Sequence, residues 1–133
     1  MFCTAINCID GRVQLPVIKH LKDRYAADYV DMITEPGPVA VLTDEKKFRQ
    51  ADSIIYRTEL SINVHKSKLI AIVAHYNCAG NPIKKAEQLI QLENSVKVIN
   101  KKFAKAQILG LWVDKNRIVN EIVKIKGIRN GRK

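Results

Sequence analysis

Residues 69–74, Leu-Ile-Ala-Ile-Val-Ala, form an apolar run with no polar alternation. A strand that shows polar groups on neither face has to be covered on both, which marks a central parallel strand of an α/β sheet. The rest of the chain supplies the covers. Residues 2–8 read as a short buried strand. Residues 13–27 follow as an amphipathic helix with Val17, Ile18, Leu21 and Tyr25 on one face and Pro16 early, where a helix tolerates it. Tyr29 to Ile33 is a second strand, and Glu35-Pro36-Gly37-Pro38 a rigid turn. Thr43 reads as an N-cap, with Asp44 and Glu45 in the first turn of a helix over 44–65. Phe48, Ala51, Ile55, Thr58 and Ile62 would be its apolar face.

After the central strand, Asn81-Pro82 opens a helix to about residue 104, with Ile83, Ala86, Leu89, Leu92, Val96, Ile99 and Phe103 on one side. Residues 107–113 form a fourth strand, 114–116 a turn, and Arg117 to Ile125 a final antiparallel strand. This order predicts an α/β fold: a mainly parallel central sheet flanked by helices, with a C-terminal antiparallel strand. Residues 1–133 are expected to make one domain, 115–133 being a basic C-terminal hairpin strand and tail.

The chemistry gathers where strands end. Cys8 closes the first strand, and Asp10 and Arg12 follow it. His75 and Cys78 lie just past the central strand. In open α/β sheets, ligands bind at the carboxyl ends of the strands. If these two strands are neighbours, two thiols and one imidazole converge. Such a set can hold zinc through three ligands and leave a fourth position open to water, the arrangement of a catalytic site. Asp10 and Arg12 place a charged pair beside it.

Composition narrows the alternatives. At 47% hydrophobic residues the chain is globular. No apolar run approaches the roughly 20 residues of a membrane span, so no membrane association is expected. The N-terminus enters a strand directly, without the pattern of a signal peptide, and the expected compartment is the cytoplasm. Three cysteines suit reduced thiols or metal ligands better than a disulfide framework. The net charge is +10, and much of it lies in residues 115–133. A basic tail can attract nucleic acid, but it lacks the interleaved aromatics that stack bases. A solvated terminus is the reading adopted, and nucleic acid is not an expected partner.

Other residues carry plainer expectations. Cys3 belongs to the core, its odd offset from Cys8 setting the two on opposite faces of a regular strand. Trp112 is core. His20 and His65 have surface or capping roles, with proton shuttling as the alternative. Tyr76 and Asn77 sit between His75 and Cys78 and either line a pocket or, for Tyr76, simply pack. Glu35 follows a strand end and is a candidate polar contact near the site.

Cys8-x-Asp10-x-Arg12 after a first strand, with His75-x-x-Cys78 after an apolar third strand, resembles the signature of β-class carbonic anhydrases. Lys68 to Gly80, KLIAIVAHYNCAG, is similar to that family's strand, metal loop and following glycine. Leu109 to Ile122, LGLWVDKNRIVNEI, is similar to its closing hairpin. The resemblance implies one Zn2+ per chain, held by Cys8, His75 and Cys78. Asp10 and Arg12 would be the catalytic pair, Asp10 accepting a hydrogen bond from the zinc-bound hydroxide and Arg12 either holding Asp10 in place or competing with the metal for it. The implied activity is that of a zinc-hydroxide hydro-lyase interconverting carbon dioxide and bicarbonate. The implied assembly is a homodimer or higher homo-oligomer.

The chain departs from the family pattern in several places. Seven residues precede Cys8 where members usually carry a helical arm. Ile33-Thr34-Glu35-Pro36 stands where an Arg-Asn pair usually ends the second strand. A glutamine that commonly precedes the first strand has no counterpart, Ala74 replaces a glycine, and Ile9 replaces a serine. Two alternatives stay open: a hydrolase of carbonyl sulfide or carbon disulfide using the same zinc, and a non-catalytic zinc-containing binding module.

Overall fold

A computed structural model of the protein describes residues 1–128. The end of the expected basic tail, 129–133, lies outside the described residues. Five strands form one sheet: β1 (Phe2–Asn7), β2 (Tyr29–Thr34), β3 (Leu69–His75), β4 (Gln107–Val113) and β5 (Val119–Ile125), in the order β2-β1-β3-β4-β5. The first four are parallel, and β5 returns antiparallel to β4. The mainly parallel α/β sheet with an antiparallel C-terminal strand is the architecture expected. Every residue of β3 is buried, as its unbroken apolar run requires.

Four helices cover the sheet: α1 (Gln14–Tyr25), α2 (Pro38–Leu42), α3 (Phe48–Asn63) and α4 (Lys85–Lys102). Alternate strand residues feed two cores. Ile6, Ile70, Ile72, Ile108 and Trp112 meet Ile54, Leu92, Val96 and Ile99 from α3 and α4. Cys3, Ala5, Ala71, Val73, Leu109 and Leu111 meet Val17 and Leu21 from α1. Each Val, Leu or Ile side chain among these contributes about 1.5–3 kcal/mol when fully buried. Gly110 lets α4 approach β4, since a Cβ there would lie 3.2 Å from both Leu92 Cγ and Val96 Cγ2. Among the described residues no helix is long and apolar enough to cross a membrane.

Helix starts differ from the sequence expectation, each for a local reason. Thr43 is no N-cap: its hydroxyl donates to the Val39 carbonyl at 2.7 Å and closes α2, a short helix where only a turn was expected. Asp44 caps the next turn instead, accepting the Lys46 amide at 3.0 Å. That turn is a 3-10 segment, Glu45–Lys47, so α3 starts at Phe48, whose ring is left exposed rather than on the apolar face. Asn81 does not cap α4. Its side chain donates to Gln91 Oε1 at 2.7 Å, and α4 begins at Lys85, with Glu87 accepting the Lys84 amide at 3.3 Å. Strand β5 begins at Val119 rather than Arg117, because Asp114 Oδ1 accepts the amides of Asn116 and Ile118 and Arg117 takes a left-handed φ of 64°.

Candidate metal centre

Strands β1 and β3 are neighbours, with Ile6 in register with Ile72. That register brings Cys8 level with the end of β3, and the loop after His75 brings Cys78 to the same edge. The Sγ atoms of Cys8 and Cys78 and a ring nitrogen of His75 all lie within 4.8 Å of one another, and all three residues are buried. The two sulfurs are 3.8 Å apart.

The imidazole is oriented for ligation. His75 Nδ1 lies 2.9 Å from the Tyr76 carbonyl, so Nδ1 carries a hydrogen and donates. In the neutral ring this leaves Nε2 with a free lone pair. Nε2 is buried and has no hydrogen-bond partner among the described residues. A buried, orphaned nitrogen is uncommon and calls for a missing partner. Two sulfurs and one imidazole nitrogen match the ligand preferences of zinc.

The thiols are polarised against each other. The Cys78 thiol pulls the Cys8 pKa well below the usual thiol range; burial opposes this, and His75 and then the amides of Gly37 and Asp10 assist it. Cys78 is pushed up first by its hydrogen bond to Cys8, then by burial and by the charge on Cys8. The pair therefore gives up its first proton easily and keeps its second. For His75, burial pushes the pKa down, while Cys8, the Tyr76 carbonyl and Asp10 raise it by more. By contrast Cys3 is simply buried, which raises its pKa to about 11.

Asp10 and Arg12 stand at the edge of this cluster. Arg12 Nε donates to Asp10 Oδ1 at 3.0 Å and Nη2 to Oδ2 at 2.6 Å. The Arg12 amide also donates to Oδ1, at 2.9 Å. These bonds from Arg12 hold the Asp10 carboxyl well below the usual carboxylate range. Arg12 Nη2 reaches the Asn77 carbonyl at 3.1 Å, tying the first motif to the second.

Cys8, His75 and Cys78 are brought together, with Asp10 and Arg12 beside them. Tyr76 and Asn77 line a cleft of about 420 Å³ with Lys84, Lys85 and Trp112. Trp112 is core, as expected. Cys3 is core too, but it shares a cluster with Cys8 instead of facing away, because the regular strand stops at Asn7 and the chain turns. Glu35 turns toward α3, 3.4 Å from Arg57 Nη2. His20 is half-buried against Glu121 at 2.8 Å, sharing its carboxylate with the Tyr25 hydroxyl. His65 pairs with Asp31 at 2.7 Å and stacks on Phe2.

Sequence reasoning missed Gly37, whose amide faces Cys8, and three amide side chains, Asn7, Gln14 and Gln88, that hold the backbone of site residues. The Pro-Gly-Pro segment around Gly37 was a visible signal. The amide side chains offered none, since a lone Asn or Gln has no periodicity.

Residues 1–123 match a protein family described as "Putative carbonic anhydrase". The chain belongs to that family. No curated protein matches it in sequence. Among solved structures it is similar to one of two tetrameric β-carbonic anhydrases from the filamentous ascomycete Sordaria macrospora. That match has a TM-score of 0.64 at 14% identity and covers 92% of this chain and 81% of the other. It is also similar to the β-carbonic anhydrase CafA of the fungal pathogen Aspergillus fumigatus, with a TM-score of 0.52 at 14% identity over 90% of this chain and 74% of the other. At such identities the structural likeness speaks for the fold alone. Family membership makes this carbonic anhydrase-like protein an enzyme of the lyase type.

Proposed function

We propose that this enzyme interconverts carbon dioxide and bicarbonate with one zinc ion per chain, held by Cys8, His75 and Cys78. The observation that carries the reading is the orphaned His75 Nε2, buried beside two thiols whose first proton is easily lost. Zinc bound there would lower the pKa of a coordinated water from about 15.7 to about 7 and so would supply a nucleophile at neutral pH.

The chain's own residues do the rest. Ionised, the two thiolates offset both charges of the metal, which makes the centre a weaker electrophile than one built on neutral imidazoles. Orientation of the reacting water then matters more. Asp10 supplies it. Held ionised by Arg12, its carboxylate can only accept hydrogen bonds, so it fixes the direction of a donor at the open position. Hydration joins the water oxygen to the carbon and releases one proton to solvent.

Residues 1–133 act in this reading as a single carbonic anhydrase-like domain, in a homodimer or larger homo-oligomer. The tetrameric Sordaria relative supports the assembly. So do the exposed Ile9, Leu15 and Ile118, apolar side chains that a partner subunit would cover.

The test is stopped-flow hydration of carbon dioxide across pH, with metal content measured on the same sample. One zinc per chain and a rate that rises with pH are expected. One zinc with no hydration at any pH would reject this substrate and turn the assay to carbonyl sulfide and carbon disulfide. Cys78→Ser should lose the metal; stoichiometric zinc in that variant would remove Cys78 from the ligand set.

A further inference from the structure

Cys8 lies in a loop, not in the sheet, and its backbone is held by side chains. Asn7, the last residue of β1, is fully buried. Its Oδ1 accepts the Cys8 amide at 2.7 Å, and its Nδ2 donates to the Val13 carbonyl at 3.2 Å. One side chain thus clamps both ends of the segment 8–13, which carries Cys8, Asp10 and Arg12. Gln14 braces the same segment from its other flank: Nε2 donates to the Cys8 carbonyl and, at 3.4 Å, to the Asp10 carbonyl. Cys8 therefore has its amide on one carboxamide and its carbonyl on another.

His75 is treated alike. Gln88, buried on the first turn of α4, donates from Nε2 to the His75 carbonyl at 3.0 Å. Cys78 is held differently, by its own turn, its carbonyl accepting the Asn81 amide at 3.2 Å.

We propose that Asn7, Gln14 and Gln88 are positioning residues that set the metal centre through the backbone of Cys8 and His75. The proposal rests on reading that cluster as a metal centre. A carboxamide suits the task because it has a donor and an acceptor, and no charge to compete with the thiolates or with Asp10. A carboxylate could not donate to the carbonyls, and an ammonium could not accept the Cys8 amide. Without these bonds the segment 8–13 keeps its ligand but loses the constraint on where the sulfur points. Partners lying just outside the ligands of a metal typically change its affinity about 10–100-fold when removed.

The experiment loads Co(II) into wild-type protein and into Asn7→Leu, Gln14→Met and Gln88→Met. Affinity is measured by chelator competition and ligand geometry by the visible Co(II) bands. Each variant is expected to bind Co(II) about 10–100-fold more weakly than wild type, with shifted or weakened bands. Ser67→Ala is the control. Its buried hydroxyl bonds to Ser61 just before the amino end of β3, so it should lower thermal stability and leave affinity and bands alone.

If Asn7→Leu fails to fold, Gln14→Met decides the matter, because Gln14 is only half-buried. Folded Gln14→Met and Gln88→Met proteins with wild-type affinity and bands would overturn the proposal. Wild-type protein that takes up neither Co(II) nor Zn(II) would overturn the reading of the cluster as a metal centre, and the proposal with it.

Discussion

Asp10 Oδ2 lies 4.0 Å from His75 Nε2, while Arg12 grips the same oxygen from the other side at 2.6 Å. The carboxylate is therefore beside the ligand cluster but is held by the guanidinium. Its charge is committed to Arg12, and its remaining acceptor capacity is available to a donor at the cluster.

Replacing Asp10 by Ala should then separate binding from turnover. Metal stoichiometry should stay near one per chain, while hydration falls by about 100-fold or more, the scale of losing one preorganised hydrogen-bonding group at a reaction centre. Metal analysis and stopped flow on the same preparation check this. An Asp10→Ala enzyme with wild-type turnover would remove Asp10 from the mechanism.

Arg12→Gln tests how the carboxylate is kept charged. Arg12 holds the folded-state pKa of Asp10 below its unfolded value of about 3.9. A depressed carboxylate brings stability that is fully present above the unfolded pKa and is lost as pH falls through the folded one. In Arg12→Gln that acid-dependent share should largely vanish. Urea midpoints between pH 5 and pH 2 should fall less steeply than in wild type.

The thiol pair makes a prediction for metal-free protein. Cys8 is stabilised as thiolate first of all by the Cys78 thiol, so at neutral pH the pair should hold about one thiolate. Ultraviolet thiolate absorbance should rise at a pH well below that of an ordinary thiol. Cys78→Ala removes the donor, and the same transition should move to higher pH. If both proteins titrate together, the pairing across 3.8 Å is not what polarises Cys8.

Much of this was legible in the chain. The run at 69–74 announced a strand buried on both faces, and His75 and Cys8 sat at strand ends where side chains must converge if the strands pair. The end of β1 at Asn7, the short helix after the 35–38 turn and the role of Asn81 were not legible, because tertiary contacts decide them. Asn81 spends its amide on Gln91 instead of capping α4. The segment at Pro36 and Gly37 that leads into Pro38–Leu42 lies wedged against Gly80 and Asn81 of the loop after β3. Propensity sees neither neighbour.

That wedge carries the last prediction. A Cβ on Gly80 would lie 2.8 Å from the Pro36 carbonyl carbon and 2.9 Å from the Gly37 nitrogen, which are backbone atoms that cannot step aside cheaply. The Gly37 amide is also one of the groups that face Cys8. Gly80→Ala must therefore push the 36–37 segment off the metal loop and draw a donor away from the Cys8 sulfur. The overpacking should cost about 1–3 kcal/mol, read as a lower urea midpoint in metal-free protein. The lost donor should raise the pH at which the first thiolate forms, which overpacking elsewhere would not do. Gly110→Ala is the comparison: it crowds Leu92 and Val96 in the α4 core and should destabilise the fold while leaving the thiolate titration where it was. If Gly80→Ala lowers stability but leaves that titration unmoved, the close approach at Gly80 only packs the two loops, and the Gly37 amide has no part in tuning Cys8.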